Sequence, residues 1–484
     1  MSSIRKSLLI SFAEKYAAIF IQFFSTIILA RLLTPEDIGI YSVASVIVGL
    51  AHMFRDFGVS QYIVQEKELT IDKIRSAFGA AILFAWTMAV VLFFLKSLVA
   101  NFYSDERLED VIFVLTLCFI LLPFGSVTLA VLRRNLNFAP IFRVQTASAF
   151  VLAFTSIVLA IEGYGFMSLA WASLAGVITT VVGITYYRPK NFPFFPGFRE
   201  IKSVINFGGL TSIARLCKEV RVATPDMVTG KMISMDAVGL LGRAMGLIKL
   251  FEMAVLTAVR QVVLPHLSAE QRAKGDIGAA YLRIIDYVNV LAWPFYGVLF
   301  ILAFPIMRVL YGSQWDAAVP ITQILCIYGI SSAMFYFLDE VLISVGMVKK
   351  SAIFHFQLLI IIIPSVVAVG GYGLQAVAFS LVVVSIVGLI MAHRLLARVL
   401  KLDYSSILKS MSKVFGIFSF SITGPILITL FIAMESNNYV WILGAGIISA
   451  AIGWISGVVI FRHPIKNELD PAFTMIRKLL QIRR

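Results

Sequence analysis

Five ionisable residues, Arg215, Lys218, Glu219, Arg221 and Asp226, crowd one segment that is otherwise long and apolar enough to cross a bilayer. At the centre of a lipid-facing helix each costs roughly 2.5–3.5 kcal/mol, so about 12–17 kcal/mol together. The Val, Ile, Leu and Phe residues between Val204 and Val228 offset only about 3–5 kcal/mol of this. Such a segment is tolerated when most of its charges face a protein-lined or water-filled interior. The sequence therefore predicts something polar enclosed within the membrane.

The rest of the chain fits that setting. Its 484 residues are 60% hydrophobic and 14% charged, with a mean hydropathy of +0.91, whereas soluble domains carry about 25% charged residues. Hydrophobic blocks recur from end to end, which leaves no sizeable soluble domain. The first begins near Ser7; it is too long for a signal-peptide core and is read as a retained span. A net charge of +14 would ordinarily suggest nucleic acid. Here the cations are sorted by loop, which points to membrane topology instead. Cys118, Cys217 and Cys326 lie in apolar segments without metal or disulfide spacing and read as packing residues.

A helix needs about 20 apolar residues to cross the hydrocarbon core. That rule predicts an all-α polytopic membrane protein with about 14 transmembrane helices, at 7–32, 38–58, 75–99, 110–132, 140–161, 165–187, 203–228, 236–258, 280–303, 318–345, 351–369, 373–393, 408–432 and 439–461. Thr34-Pro35-Glu36-Asp37 has the cap, first-turn proline and acids of a helix start. Ser104-Asp105-Glu106 reads the same way for the fourth span. Basic clusters at Arg133-Arg134, Arg188 with Lys190, Lys349-Lys350, Arg394 to Lys413 and Arg462 to Arg484 place both termini in the cytoplasm. Pro123, Pro225, Pro294, Pro364 and Pro425 mark expected kinks.

The chain also repeats itself. Leu33-Thr34-Pro35-Glu36-Asp37-Ile38-Gly39-Ile40 has a counterpart 200 positions on, at Ile233-Ser234-Met235-Asp236-Ala237-Val238-Gly239-Leu240. The same offset pairs Lys15 with Arg215 and Gln61 with Gln261. Six spans per copy is an even number, so both copies share one orientation, related by an axis along the membrane normal. The expected organisation is an N-lobe over 1–195 (spans one to six) and a C-lobe over 196–400 (spans seven to twelve). Residues 401–484 add spans thirteen and fourteen and a basic tail. Two six-helix lobes that rock around a midplane site form a transporter architecture.

At about 100° per residue, Arg215, Lys218, Glu219 and Asp226 share one face of the seventh span, and Arg221 lies off it. Lys249 and Glu252 share a face of the eighth with Arg260, while the first offers Lys15, Gln22 and Thr26. The functional reading is a cationic cavity, Lys15, Arg215, Lys218 and Lys249, that receives an anionic head group such as a phosphate ester. Asp226, Glu219 and Glu252 are the candidates for coupling to H+ or Na+. Helix-local ion pairing of Arg215 with Glu219, and of Lys249 with Glu252, is the competing reading. Asp56, Asp339 and Glu340 sit near span ends and read as solvated; His355 reads as packed or interfacial. No cofactor and no resident metal are implied.

The chain resembles the Wzx-type oligosaccharide flippases of the multidrug/oligosaccharidyl-lipid/polysaccharide exporter superfamily. The resemblance is carried by Leu29-Ala30-Arg31-Leu32-Leu33-Thr34-Pro35-Glu36-Asp37-Ile38-Gly39-Ile40-Tyr41, by Asp56-Phe57-Gly58 followed by Gln65-Glu66-Lys67, and by Leu132-Arg133-Arg134-Asn135-Leu136-Asn137-Phe138. Asp226 through Gly239 and Tyr311-Gly312-Ser313-Gln314-Trp315 extend it. It implies a bacterial inner-membrane protein, not an enzyme. Such a protein carries a polyprenyl-pyrophosphate-linked sugar repeat unit to the outer leaflet for exopolysaccharide, capsule or O-antigen assembly. It would hand its cargo to polymerisation and export machinery. Members read Asp-x-x-x-Ile-Gly-Arg at the seventh span; here Asp226, Gly230 and Lys231 keep acid, glycine and base in a different frame. The tyrosine expected after Gly239 is replaced by Leu240-Leu241, a departure that bears on substrate detail.

Two other classes compete. A multidrug extruder of the same superfamily expels amphipathic cations and favours an acidic cavity, whereas this one is net basic. A membrane glycan polymerase or glycosyltransferase needs paired acids or a large external loop, and no outward loop here exceeds about a dozen residues.

Overall fold

Among the described residues the expected apolar blocks are built of helices. The computed structural model describes residues 2–56, 58–188, 195–400, 404–431 and 438–467; the side chains of 2–15, 56, 202–215 and 404–410 lie outside that description. In chain order the first helices are α1 (Ser2–Leu32), α2 (Pro35–Asp56), α3 (Val59–Gln65), α4 (Ile71–Tyr103), α5 (Arg107–Leu121), α6 (Pro123–Arg134), α7 (Phe138–Ile161), α8 (Met167–Tyr186) and α9 (Ile201–Met232). There follow α10 (Met235–Phe251), a π-helical turn at Glu252–Leu256, α11 (Thr257–Arg272), α12 (Ile277–Ile301), α13 (Ala303–Leu310), α14 (Ala318–Ala333) and α15 (Leu338–Ser344). The last are α16 (Val348–Val369), α17 (Leu374–Leu400), α18 (Tyr404–Phe431) and α19 (Tyr439–Ile460). The described residues contain no strand.

Among the described residues, 10 helices are long and apolar enough to cross a membrane, or 11 when α5 and α6 count as one bent span. This is a multi-pass membrane protein. The other three blocks of the expected fourteen are α1, α9 and α10. The last two carry several charges within their turns, Lys218, Glu219, Arg221, Asp226 and Lys231 in α9 and Asp236, Arg243 and Lys249 in α10. α5 and α6 meet at Pro123 with a bend of 53°, where the proline ring and its missing N–H interrupt the ladder. Pro225, Pro294, Pro364 and Pro425 instead lie inside unbroken helices.

The duplicated start motif builds the same cap twice. Asp37 N donates to Thr34 Oγ1 at 3.1 Å, and Thr34 N returns a bond to Asp37 Oδ2 at 3.1 Å. At the second copy Ala237 N donates to Ser234 Oγ at 3.1 Å. Each cap satisfies a backbone donor that the first turn of a helix leaves without an intrahelical partner. The Asp37 carboxylate also accepts from Phe166 N at 3.0 Å, and so ties the start of α2 to the turn before α8. Ser104-Asp105-Glu106 works differently from the expectation. Ser104 adopts a left-handed conformation (φ 58°) and closes α4; Asp105 alone starts α5, accepting from Arg107 N at 3.1 Å.

The chain packs as two compact units, Met1–Gly242 and Arg243–Arg484. In the first, α2, α4, α5 and α8 enclose a core of Ile40, Val43, Leu108, Ile112, Phe119 and Ala170, to which Met235 and Val238 add from α10. Here α9 packs on α2, α3 and α4. A division by contacts and a duplication of sequence are separate properties, and α9 opens the second sequence copy while packing with the first unit. In the second unit, α12, α18 and α19 share a core of Val290, Val414, Ile417 and Val458, and Trp454 Nε1 donates to Val290 O at 2.9 Å.

Candidate functional site

α9 is the charged helix. Its Lys218 and Arg221 are half-buried, Glu219 is exposed and Asp226 is half-buried. Among the described residues the buried Nε of Arg221 makes no hydrogen bond. One turn later Pro225 lacks the N–H that would bond the Arg221 carbonyl, yet the helix continues to Met232. Its C-terminal end is held from the side. Tyr103 Oη donates to Met227 O at 3.2 Å. Lys231 Nζ donates to the Phe102 carbonyl and sits 4.9 Å from the Phe102 ring centroid. A cation there also suits the negative end of the α4 dipole.

Lys15 and Arg215, the two cations matched by the repeat, have side chains outside the described residues, and so does Asp56. Gln22 is exposed and Thr26 half-buried. Lys218, Glu219 and Asp226 belong to the first unit, Lys249 and Glu252 to the second. Lys249 is exposed. The alternative reading, in which Lys249 pairs with Glu252, is not what the second unit contains: Glu252 accepts a hydrogen bond from Tyr336 Oη at 3.2 Å.

Two acids expected to be solvated are not. Glu340 is 2% exposed and takes the Nε of Arg260, whose side chain is 43% exposed. Asp339 accepts from His355 Nε2 at 3.0 Å and from Ser351 Oγ at 2.5 Å. The reason is the break between α14 and α15: the chain leaves helical geometry at 334–337 and α15 restarts packed on α11 and α16. That turns Asp339 and Glu340 toward neighbouring helices.

One residue of this kind escaped the sequence reading. The Arg243 guanidinium carbon lies 5.3 Å from the Tyr311 ring centroid and 5.0 Å from that of the fully buried Trp315. Such cation–π contacts are worth roughly 2 kcal/mol where desolvated. Beside them Arg308 forks onto Asp316 at 2.7 and 2.6 Å, and Gly312 takes a φ of 99° that favours glycine. Tyr311–Trp315 was visible in the sequence as a motif; Arg243, nearly seventy residues earlier, was not connected to it. What joins them is tertiary.

Among the described residues no group of three or more His, Cys, Asp or Glu is placed to hold a metal. The arrangement is one of charges set within helices, tied to hydroxyls, aromatic faces and each other.

A family model described as "Polysaccharide biosynthesis protein" matches residues 28–320. The chain is 22% identical over 376 residues to the lipopolysaccharide biosynthesis protein WzxC of Escherichia coli (strain K12), covering 76% of this chain and 75% of that one. It is 25% identical over 391 residues to the teichuronic acid biosynthesis protein TuaB of Bacillus subtilis (strain 168), covering 77% and 79%. In fold it is similar to the lipid II flippase MurJ in its inward closed conformation, with a TM-score of 0.76 and 14% identity over 95% of this chain and 100% of that one. With a match over more than half its length, the chain belongs to the polysaccharide biosynthesis protein family.

Proposed function

We propose that the protein is a flippase that moves polyprenyl-pyrophosphate-linked oligosaccharide repeat units from the cytoplasmic to the periplasmic leaflet of the bacterial inner membrane. It works by alternating access and serves exopolysaccharide, capsule or O-antigen assembly. The observation that carries the reading is α9, a helix of 32 residues with Lys218, Glu219, Arg221 and Asp226 in its central and outer turns. A sugar head group cannot cross roughly 30 Å of hydrocarbon unaided, while its lipid tail can stay in the bilayer. Charged groups inside a spanning helix supply the polar surface such a head group needs. The names of WzxC and TuaB support the substrate class, and the MurJ-like fold supports the architecture.

In this reading Lys15, Arg215, Lys218 and Lys249 receive the diphosphate and its sugars, and both termini are cytoplasmic. Outward movement of an anion is aided by the membrane potential, at about 2.3 kcal/mol per charge per 100 mV. Downstream polymerisation and export proteins receive the product.

The test is the leaflet distribution of lipid-linked repeat units in cells that carry only R215A or K218A protein. Stranding of those units on the cytoplasmic leaflet, with the protein at normal abundance in the membrane, is the expected result. Normal glycan export by both variants would refute the role given to α9.

A further inference from the structure

Where α6 gives way to α7, a leucine occupies a backbone conformation that suits glycine. Leu136 has a φ of 54°, a region in which the Cβ of a side chain crowds the backbone. The turn is a helix terminator of the kind that glycine usually completes: Leu136 N donates to Arg133 O and Asn137 N to Leu132 O, each at 3.0 Å. Among the described residues the other non-glycine positions with positive φ are Ser104, Lys274 and Arg462, all polar. Leu136 is apolar and 55% exposed, so its burial does little to offset the strain. A bulky residue kept in such a conformation points to a task outside the core.

The turn lies beside the end of α8. Phe138 and Tyr187 pack on one cluster with Leu132, Ile141 and Ile184, and Arg143 Nη1 donates to Tyr187 Oη at 3.5 Å. α8 marks the level of the membrane surface. Ile178, Val182 and Tyr186, one turn apart, form an exposed stripe, and Trp171 is exposed on the same face nearer the other end. An apolar stripe closed by an aromatic residue at each end is the pattern of a helix face in contact with lipid. The charge here is one-sided. No Asp or Glu occurs between Asp110 and Glu162 or between Glu162 and Glu200. Of the cations in those stretches, Arg134 is used internally, bonding the carbonyls of Ile63 and Lys67 at 2.7 and 3.2 Å. Arg188 lies 6.0 Å from the centroid of the buried Phe78 ring. Glu66, the acid at the adjoining end of α3, is paired with Lys73. Arg133 and Arg143 are exposed, and neither is ion-paired among the described residues.

We propose that the α6–α7 turn and the end of α8 form a binding surface for an anionic phospholipid, with Arg133 and Arg143 on its phosphodiester and Leu136 inserted beside its acyl chains. A guanidinium forks onto phosphate oxygens in a way that an ammonium does not. Tyr186, 84% exposed at the end of the α8 stripe, sits where a ring can lie against acyl chains while its hydroxyl stays wet. Glycine at position 136 would relax the backbone and leave nothing to insert, which accounts for the leucine. Leu136 and Tyr186 also select a lipid over a soluble anion, since a free phosphate would use only the arginines. A lipid held there fixes the depth of this corner of the first unit in the bilayer. None of this rests on the transport reading; only the assignment to the cytoplasmic leaflet uses the orientation proposed above.

The test uses full-length protein in detergent, titrated with phosphatidylglycerol or phosphatidylcholine, with bound lipid counted by native mass spectrometry. Wild type is expected to retain phosphatidylglycerol in preference to phosphatidylcholine. R133Q/R143Q should weaken that retention roughly tenfold. R272Q/K274Q, the same loss of charge at an exposed turn of the second unit, should leave it unchanged. A wild type that does not distinguish the two lipids overturns the proposal, and so does equal retention by R133Q/R143Q and wild type. Displacement of the lipid by inorganic phosphate would make this a site for free anions and overturn it as well. L136G separates the lipid role of the leucine from a role in the fold. Without added lipid it should be at least as stable as wild type, because glycine takes a φ of 54° without steric cost. Phosphatidylglycerol should nevertheless raise its unfolding midpoint less than that of wild type. A full lipid-induced rise in L136G, or a loss of stability in lipid-free detergent, overturns the insertion of Leu136.

Discussion

Gly39 and Gly239, equivalent positions in the duplicated sequence, pack against each other's helix start. A Cβ on Gly39 would overlap the Met235 carbonyl, with its carbon at 2.6 Å, and one on Gly239 would overlap the Pro35 carbonyl, with its carbon at 2.7 Å. In both cases the obstacle is backbone, which cannot rotate away as a flexible side chain can. The first turns of α2 and α10 are therefore in reciprocal contact through the two positions where the repeat places glycine.

That contact predicts that G39A and G239A each destabilise the protein by about 1–3 kcal/mol, the range for forcing a methyl into close packing. The double variant should cost less than the sum, because separating the two helix starts for one methyl makes room for the other. Thermal unfolding of the four proteins in detergent checks this. Strictly additive losses would show that the two glycines do not share one contact.

Asp37 does more than its counterpart in the second copy, since it caps α2 and also binds Phe166 N. D37A is expected to cost more than S234A, for which about 1 kcal/mol is the usual loss of a cap. The added loss in D37A is the unsatisfied Phe166 N–H. The measurement is a comparison of unfolding midpoints; equal losses would mean that the Phe166 bond contributes nothing.

The Arg260–Glu340 pair predicts an asymmetry. R260A strands a carboxylate that is 3% exposed, and E340A leaves a guanidinium that is 43% exposed and can be hydrated. R260A should therefore approach the roughly 3–5 kcal/mol seen when a buried ion pair loses one partner, and E340A should fall well short of it. R260A/E340A should recover part of the R260A loss. The stability of the three variants relative to wild type provides the check.

Asp105, in the turn before α5, is held below the ordinary aspartate value of 3.8 by hydrogen bonds from Arg107, which also bonds Glu36. A depressed carboxylate contributes stability above its unfolded value and loses it as pH falls through its folded value. Wild type should thus lose a stabilising contribution as pH drops below about 4, the ordinary aspartate range. R107Q should show a shallower fall over the same interval. Unfolding midpoints from neutral to strongly acidic pH test the sign.

Much of this architecture was legible in the chain. Blocks of about 20 apolar residues specify membrane helices almost regardless of context, and the pattern at Thr34–Asp37, copied at Ser234–Ala237, specifies helix starts through local hydrogen bonds. Lys218, Glu219 and Asp226 stood out because charges within an apolar segment are conspicuous. The fate of Glu340 was less legible. It lay near a span end, and only the break at 334–337 and the return of α15 onto α11 bury it beside Arg260.

From its residues alone the protein's membrane character and helical class follow, because both are written in near-neighbour patterns of hydropathy and capping. Which charges meet, and on what, was settled by the fold. Glu252 could pair along its own helix with Lys249 or across to another; the π-helical turn and the facing break give it Tyr336 instead. Arg243 finds Tyr311 and Trp315 nearly seventy residues away. A contact between distant segments depends on where each helix bends, breaks and restarts, and single-residue preferences carry little of that information.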